Sequence, residues 1–106
     1  MVSKETIESL RQFVAERDWG KFHTPENLAK SISIEAGELL ECFQWGPEVS
    51  RDDIADELAD VVTYCILLGE KYGFDMDSIV AAKLSKNAEK YPISKSRGVS
   101  TKYDRL

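Results

Sequence analysis

Apolar side chains recur every three to four residues through four stretches of this chain, and the breaks between them fall at turn and cap residues. That period predicts helices and no strand. The first helix is expected over about residues 3–18, with Ile7, Leu10, Phe13 and Val14 facing inward, until Gly20 interrupts the pattern. Thr24 followed by Pro25 is a strong start signal, the hydroxyl as cap and the proline at the first helical position. The second helix then runs to about Phe43 or Gln44 and stops at Gly46-Pro47. Ser50 with Asp53 three residues on resembles a capping box and opens a third helix that reaches about Lys71 and ends near Gly73. A fourth begins around Asp75–Ser78 and closes at about Lys90, before Pro92. The remainder, rich in Ser, Lys and Arg, is predicted irregular. The expected organisation is an all-α four-helix bundle over residues 1–92 and a basic tail over 93–106.

The two central helices carry more apolar surface than one stripe. Leu28, Ile32, Leu39 and Cys42 form the main stripe of the second helix, and Ala29, Ala36 and Leu40 lie off it. Ile54, Leu58, Val61, Cys65 and Leu68 form that of the third, widened by Val62, Ile66 and Leu67. A bundle of 106 residues cannot easily bury all of this alone. The pattern therefore predicts a homo-oligomer, a dimer or tetramer, packed through these helices.

Charge enters the same pattern in an unusual place. Glu35 falls inside the apolar stripe of the second helix, three residues before Glu38, and Glu57 and Asp60 repeat that spacing on the third. Residues three apart lie one turn apart on one side of a helix. Two packed helices thus gather four carboxylates, and an ionised acid among apolar residues is costly unless paired or bound to a metal. Hard oxygen ligands in that number suit Mg2+, with Mn2+ as a substitute. A single pair of this kind is ordinary on a solvated helix; two pairs on consecutive helices, one acid in a core position, are not.

The formal net charge of −5 hides an asymmetry: residues 1–82 hold 7 basic and 17 acidic side chains, whereas 83–106 hold 7 basic and 2 acidic. An acidic body disfavours a stable complex with nucleic acid. No apolar run approaches the roughly 20 residues that span a bilayer, and the N-terminus lacks a hydrophobic signal region, so a cytoplasmic protein is expected. Cys42 and Cys65 lie on apolar helical faces and read as reduced thiols.

Other candidate site residues surround the acids. R-D-W-G-K-F-H places Trp19, Phe22 and His23 together, Trp45 ends the second helix, and Tyr64 stands one turn beyond Asp60. Lys83, Asn87 and Lys90 share helical spacing before Tyr91. Aromatic faces, an amide and lysines are what a nucleotide requires, although Trp19 and Trp45 suit a core or interface equally well and a lone His23 is more often structural.

E-A-G-E, an 18-residue gap and E-L-A-D, together with W-x-x-x-H, F-Q-W and N-x-x-K-Y-P, resemble the signature of the all-α MazG-like nucleoside triphosphate pyrophosphohydrolases, most of all their small dCTP pyrophosphatase branch. The likeness runs from about residue 10 into the tail; the loop at residues 46–50 looks shorter than in some relatives. The resemblance implies Mg2+-dependent cleavage between the α- and β-phosphates of a (deoxy)nucleoside triphosphate, dCTP or a modified dCTP, giving a monophosphate and pyrophosphate, and so a role in clearing unwanted nucleotides. It implies Glu35, Glu38, Glu57 and Asp60 as metal ligands, with Glu38, off the apolar stripe, favoured for activating water. It further implies Lys83 and Lys90 on the phosphates, and Trp19, His23, Trp45, Tyr64, Asn87 and Tyr91 around base and sugar, some from a neighbouring subunit. The competing readings are a pyrophosphatase of the same superfamily with different base specificity and a non-catalytic nucleotide- or metal-binding helical module. A ferritin-like di-iron bundle lacks its E-x-x-H pairs here, and a histidine phosphotransfer bundle needs a mid-helix histidine that His23 does not supply.

Overall fold

Three hydroxyl side chains set the starts of the first three helices in this computed structural model, which describes residues 2–106. Ser3, Thr24 and Ser50 accept from the backbone N–H of Thr6, Asn27 and Asp53, each at 3.2 Å. Each bond satisfies a helix-start donor that has no partner within the helix. The helices so begun are α1 (Lys4–Glu16), α2 (Pro25–Glu41, with Pro25 in its first turn) and α3 (Arg51–Lys71). A 3-10 turn, Gly20–Phe22, lies between α1 and α2. Beyond them come α4 (Met76–Lys90), a short α5 (Ile93–Ser96) and a 3-10 turn at Tyr103–Arg105. The segment expected to be irregular thus holds two short helical turns. The architecture is all-helical, with no strand among the described residues.

The chain divides into two compact units, Met1–Phe74 and Asp75–Leu106. In the first, α2 packs on α3, and Leu28, Ile66 and Leu67 are its buried apolar side chains. The expected stripe of α2 faces inward, with Ile32, Leu39 and Cys42 half-buried beside Leu28. On α3, Ile54, Val61, Cys65 and Leu68 of the expected stripe are half-buried, but Leu58 is exposed and the fully buried apolar side chains are Ile66 and Leu67, taken above as a widening. On α1, Ile7, Leu10 and Val14 are half-buried as expected, but Phe13 is not an inward residue: it is 45% exposed. Its ring is taken up instead by Trp19, edge to face at 5.6 Å.

The end of α1 explains that contact. Asp18 N–H donates to the carbonyl of Ala15 and Trp19 N–H to that of Val14, both at 3.1 Å. These two bonds form a Schellman closure, and the apolar contact that accompanies it is Trp19 on Phe13. The closure requires a left-handed residue, and Asp18 supplies it at φ +53. It is Asp18, two residues before Gly20, that ends the helix. The matching position after α3 is Gly73, at φ +66, where Phe74 and Gly73 donate back to Gly69 and Glu70.

Much apolar surface of the first unit remains uncovered. Ile34, Leu40 and Phe43 are exposed on or just after α2, and a groove of about 430 Å³ between α1 and α3 is lined by Ile7, Leu10, Leu58, Val62 and Ile66 among others. Cys42 and Cys65 are free and half-buried. No described helix is long and apolar enough to cross a membrane.

Candidate metal centre and adjoining pocket

Packing of α2 on α3 brings the two acid pairs together. Glu35, Glu57 and Asp60 each place a carboxylate oxygen within 4.8 Å of the others, the first two half-buried and Asp60 exposed. One oxygen each of Glu35 and Glu57, Oε2 in both, is buried without a hydrogen-bond partner. A buried acceptor without a donor is unfavourable, and a divalent cation is the group that would satisfy several such oxygens at once. The donor set, all carboxylate, fits a hard ion.

The electrostatics report the same crowding. The Glu35 carboxyl is pushed up to about 7, first by the side-chain hydrogen bond it shares with Glu38, then by burial and by the charges of Glu38, Asp60 and Glu57. Glu57 is raised too, first by burial and next by a hydrogen bond with Glu38. Glu38 lies on the exposed side, outside the trio of mutually close oxygens but against two of its members. Tyr64, one turn beyond Asp60, feels the cluster: burial and the charges of Glu35, Asp60 and Glu38 raise its phenol.

His23 comes to this site from the connector before α2. Its half-buried ring meets Tyr64 edge-on, centroids 6.4 Å apart, and burial, then Lys71, lowers its pKa. Behind it the first unit opens into a cavity of about 520 Å³ whose wall includes Arg11, Val14, His23, Leu67, Glu70 and Lys71.

The remaining expected residues lie elsewhere. Trp19, 43% exposed, packs on Phe13, and the Arg17 guanidinium lies over that Phe13 ring, 3.7 Å from its centroid. Trp45, just past α2, is 89% exposed. In the second unit, the Lys90 ammonium lies 4.8 Å from the Tyr103 ring centre and Tyr91 meets the same ring edge-on at 6.1 Å. Asn87 is half-buried and Lys83 exposed. Sequence reasoning missed Arg11, Glu70 and Lys71. Asp60, Tyr64, Leu67 and Lys71 follow one another at helical spacing, so the α3 part of the wall had a signal. Arg11, 59 positions from Glu70, had none.

The chain matches the MazG-like family over residues 30–106. It is 36% identical to dCTP pyrophosphatase 1 of Bos taurus over 118 residues, 98% of this chain and 70% of that protein. It is 37% identical to dCTP pyrophosphatase 1 of Mus musculus, over 95% of this chain and 68% of that protein. The crystal structure of a pyrophosphatase from Archaeoglobus fulgidus DSM 4304 superposes with a TM-score of 0.76 at 40% identity, covering 84% of this chain and 91% of the other.

Proposed function

This chain belongs to the MazG-like family, and from that premise we propose that it is a nucleoside triphosphate pyrophosphohydrolase acting on dCTP or a modified dCTP with Mg2+. The products are the nucleoside monophosphate and pyrophosphate. The observation that carries the reading is the carboxylate cluster itself: Glu35, Glu57 and Asp60 converge within 4.8 Å with two buried oxygens left without donors.

Glu35, Glu38, Glu57 and Asp60 would hold the metal. When bound, Mg2+ neutralises triphosphate charge and makes the α-phosphoryl group a better electrophile. The residues contribute the rest. Glu38, exposed and outside the close trio, is the carboxylate we assign to accept the proton of the attacking water. Tyr64 and His23 border the acids on the side where sugar and base extend, with the imidazole kept neutral by burial and by Lys71. Trp19, Trp45, Asn87 and Tyr91 complete the base and sugar contacts, and Lys83 and Lys90 meet the phosphates. The groove between α1 and α3 and the exposed apolar side chains of α2 support a homo-oligomer, in which part of this set comes from a neighbouring subunit.

Pyrophosphate release from a panel of deoxynucleoside triphosphates, with Mg2+ and with EDTA, tests the reading. Mg2+-dependent release with a monophosphate product, fastest for a cytosine triphosphate, is expected. No release from any triphosphate would reduce the acid cluster to a binding site.

A further inference from the structure

The cavity lined by His23 combines apolar walls with a carboxylate oxygen free to accept a hydrogen bond. Val14 and Leu67 give it apolar walls. Of the two cations on its wall, Lys71 acts on His23 and Arg11 is held by carboxylates. Arg11 directs Nε and Nη2 to Glu70 Oε1, at 2.8 and 2.6 Å, and Nη1 to Glu8 Oε2 at 3.0 Å. A guanidinium held by two carboxylates offers little to a phosphate, and Asp18, also on the wall, adds another negative charge. Both bonds from Arg11 fall on one oxygen of Glu70, so Oε2 has no partner among the described residues. Glu70 is only 29% exposed, and a carboxylate oxygen can only accept. The ligand edge that meets it must donate.

We infer that Glu70, held by Arg11, is a specificity-determining residue that accepts a hydrogen bond from the exocyclic amine of the substrate's base. The inference rests on the pyrophosphohydrolase reading and names a selection within it. Carboxylates accept from the cytosine N4 amine and find no donor on the corresponding oxo edge of uracil or thymine. The placement agrees with a nucleotide spanning the site. Asp60 and Glu70 are ten residues apart on one helix, about 15 Å of rise, comparable with the reach of an extended nucleotide from its α-phosphate to the far edge of its base. Tyr64 lies between them on that helix, and the His23 ring meets it edge-on. The cavity volume of about 520 Å³ is within the usual range for small-molecule pockets. Arg11 acts through Glu70 and is a positioning residue.

The test compares dCTP with dUTP, which differ at that edge, by Mg2+-dependent pyrophosphate release from the full chain. The wild-type protein should prefer dCTP. Glu70→Gln should lower the dCTP-to-dUTP ratio of kcat/KM by about 10- to 100-fold, through the KM for dCTP, because the base contact is made in ground and transition states alike. Glu70→Asp, which keeps the charge but draws it back, should give an intermediate ratio. The ratio is read within one preparation, so partial unfolding lowers both rates together and leaves it unchanged. A wild-type protein indifferent to the two bases, or a ratio that stays within twofold in both variants, overturns the assignment of Glu70 while leaving the pyrophosphohydrolase reading intact. A wild-type protein that releases pyrophosphate from neither base, nor from any other triphosphate, overturns both.

Discussion

Replacing Glu35 by glutamine should make the metal-free protein more stable. The substitution keeps the shape of a half-buried side chain and removes one of three charges whose oxygens lie within 4.8 Å of each other. Two unit charges at that separation repel by about 3.5 kcal/mol at an effective dielectric of ~20 and by about 0.9 kcal/mol in bulk water. Asp60 is exposed, so screening brings the gain toward the lower figure, about 1 kcal/mol. For a domain of this size that is a rise in Tm of about 4–8 °C. The assay is thermal unfolding at pH 8, where the Glu35 carboxyl, held at about 7 by Glu38 and by burial, is mostly ionised in the wild-type protein. Measured in EDTA, the variant should melt higher. Measured in Mg2+ the order should reverse, because the wild-type fold gains binding free energy, about 2.7 kcal/mol at a hundredfold excess over Kd, that the variant largely loses. A variant that melts lower than wild type in EDTA, or that gains as much from Mg2+, would refute the reasoning about the cluster.

The pH dependence follows with a definite sign. The fold raises the Glu35 carboxyl from an ordinary 4.5 to about 7, so its contribution to stability is full below 4.5 and lost as pH rises through about 7. In EDTA, the Tm gap between wild type and Glu35→Gln should therefore be near zero at pH 4.5 and widest at pH 8; a gap that does not change with pH contradicts the shift. Asp60→Asn should cut Mg2+-dependent turnover at least tenfold with the circular dichroism spectrum retained, and near-normal turnover would remove Asp60 from the metal site. Trp19→Ala should raise KM more than it lowers kcat, and unchanged KM and base preference would leave Trp19 as a partner of Phe13 only. Asp18→Gly should stabilise the protein by roughly 1 kcal/mol, because the left-handed conformation at that position costs a side chain and not a glycine. Thr24→Ala should cost about 1 kcal/mol through loss of the α2 cap; an unchanged Tm in either variant speaks against the cap geometry.

The helix starts were legible in the sequence because a cap is local: Ser3, Thr24 and Ser50 act on residues three positions away. The carboxylate cluster was legible for a related reason. Two equal spacings on consecutive helices need only one packing event to converge, and Glu35 within an apolar stripe marked the inward side. The end of α1 was misread because glycine is the usual left-handed residue and Asp18 took that place instead. Leu58 was misplaced on the buried face of α3 because this helix is apolar over too wide an arc for period alone to select Ile66 and Leu67 over it. The Arg11–Glu70 pair joins helices 59 positions apart, and no local rule reaches across that interval.

That α3 runs unbroken from Arg51 to Lys71 has a consequence for where this chain can change length. Adding one residue between Asp60 and Tyr64 would turn every side chain beyond it by about 100° and move it about 1.5 Å along the axis. His23, Leu67 and Glu70 would then no longer share a cavity wall. Insertions in the turn between α2 and α3, residues 42–50, carry no such penalty, because they lie outside both helices and loop length costs little. Homologous chains should therefore vary freely in that turn while keeping the count from Glu57 to Lys71 fixed, and engineered insertions should divide the same way between tolerated and inactivating.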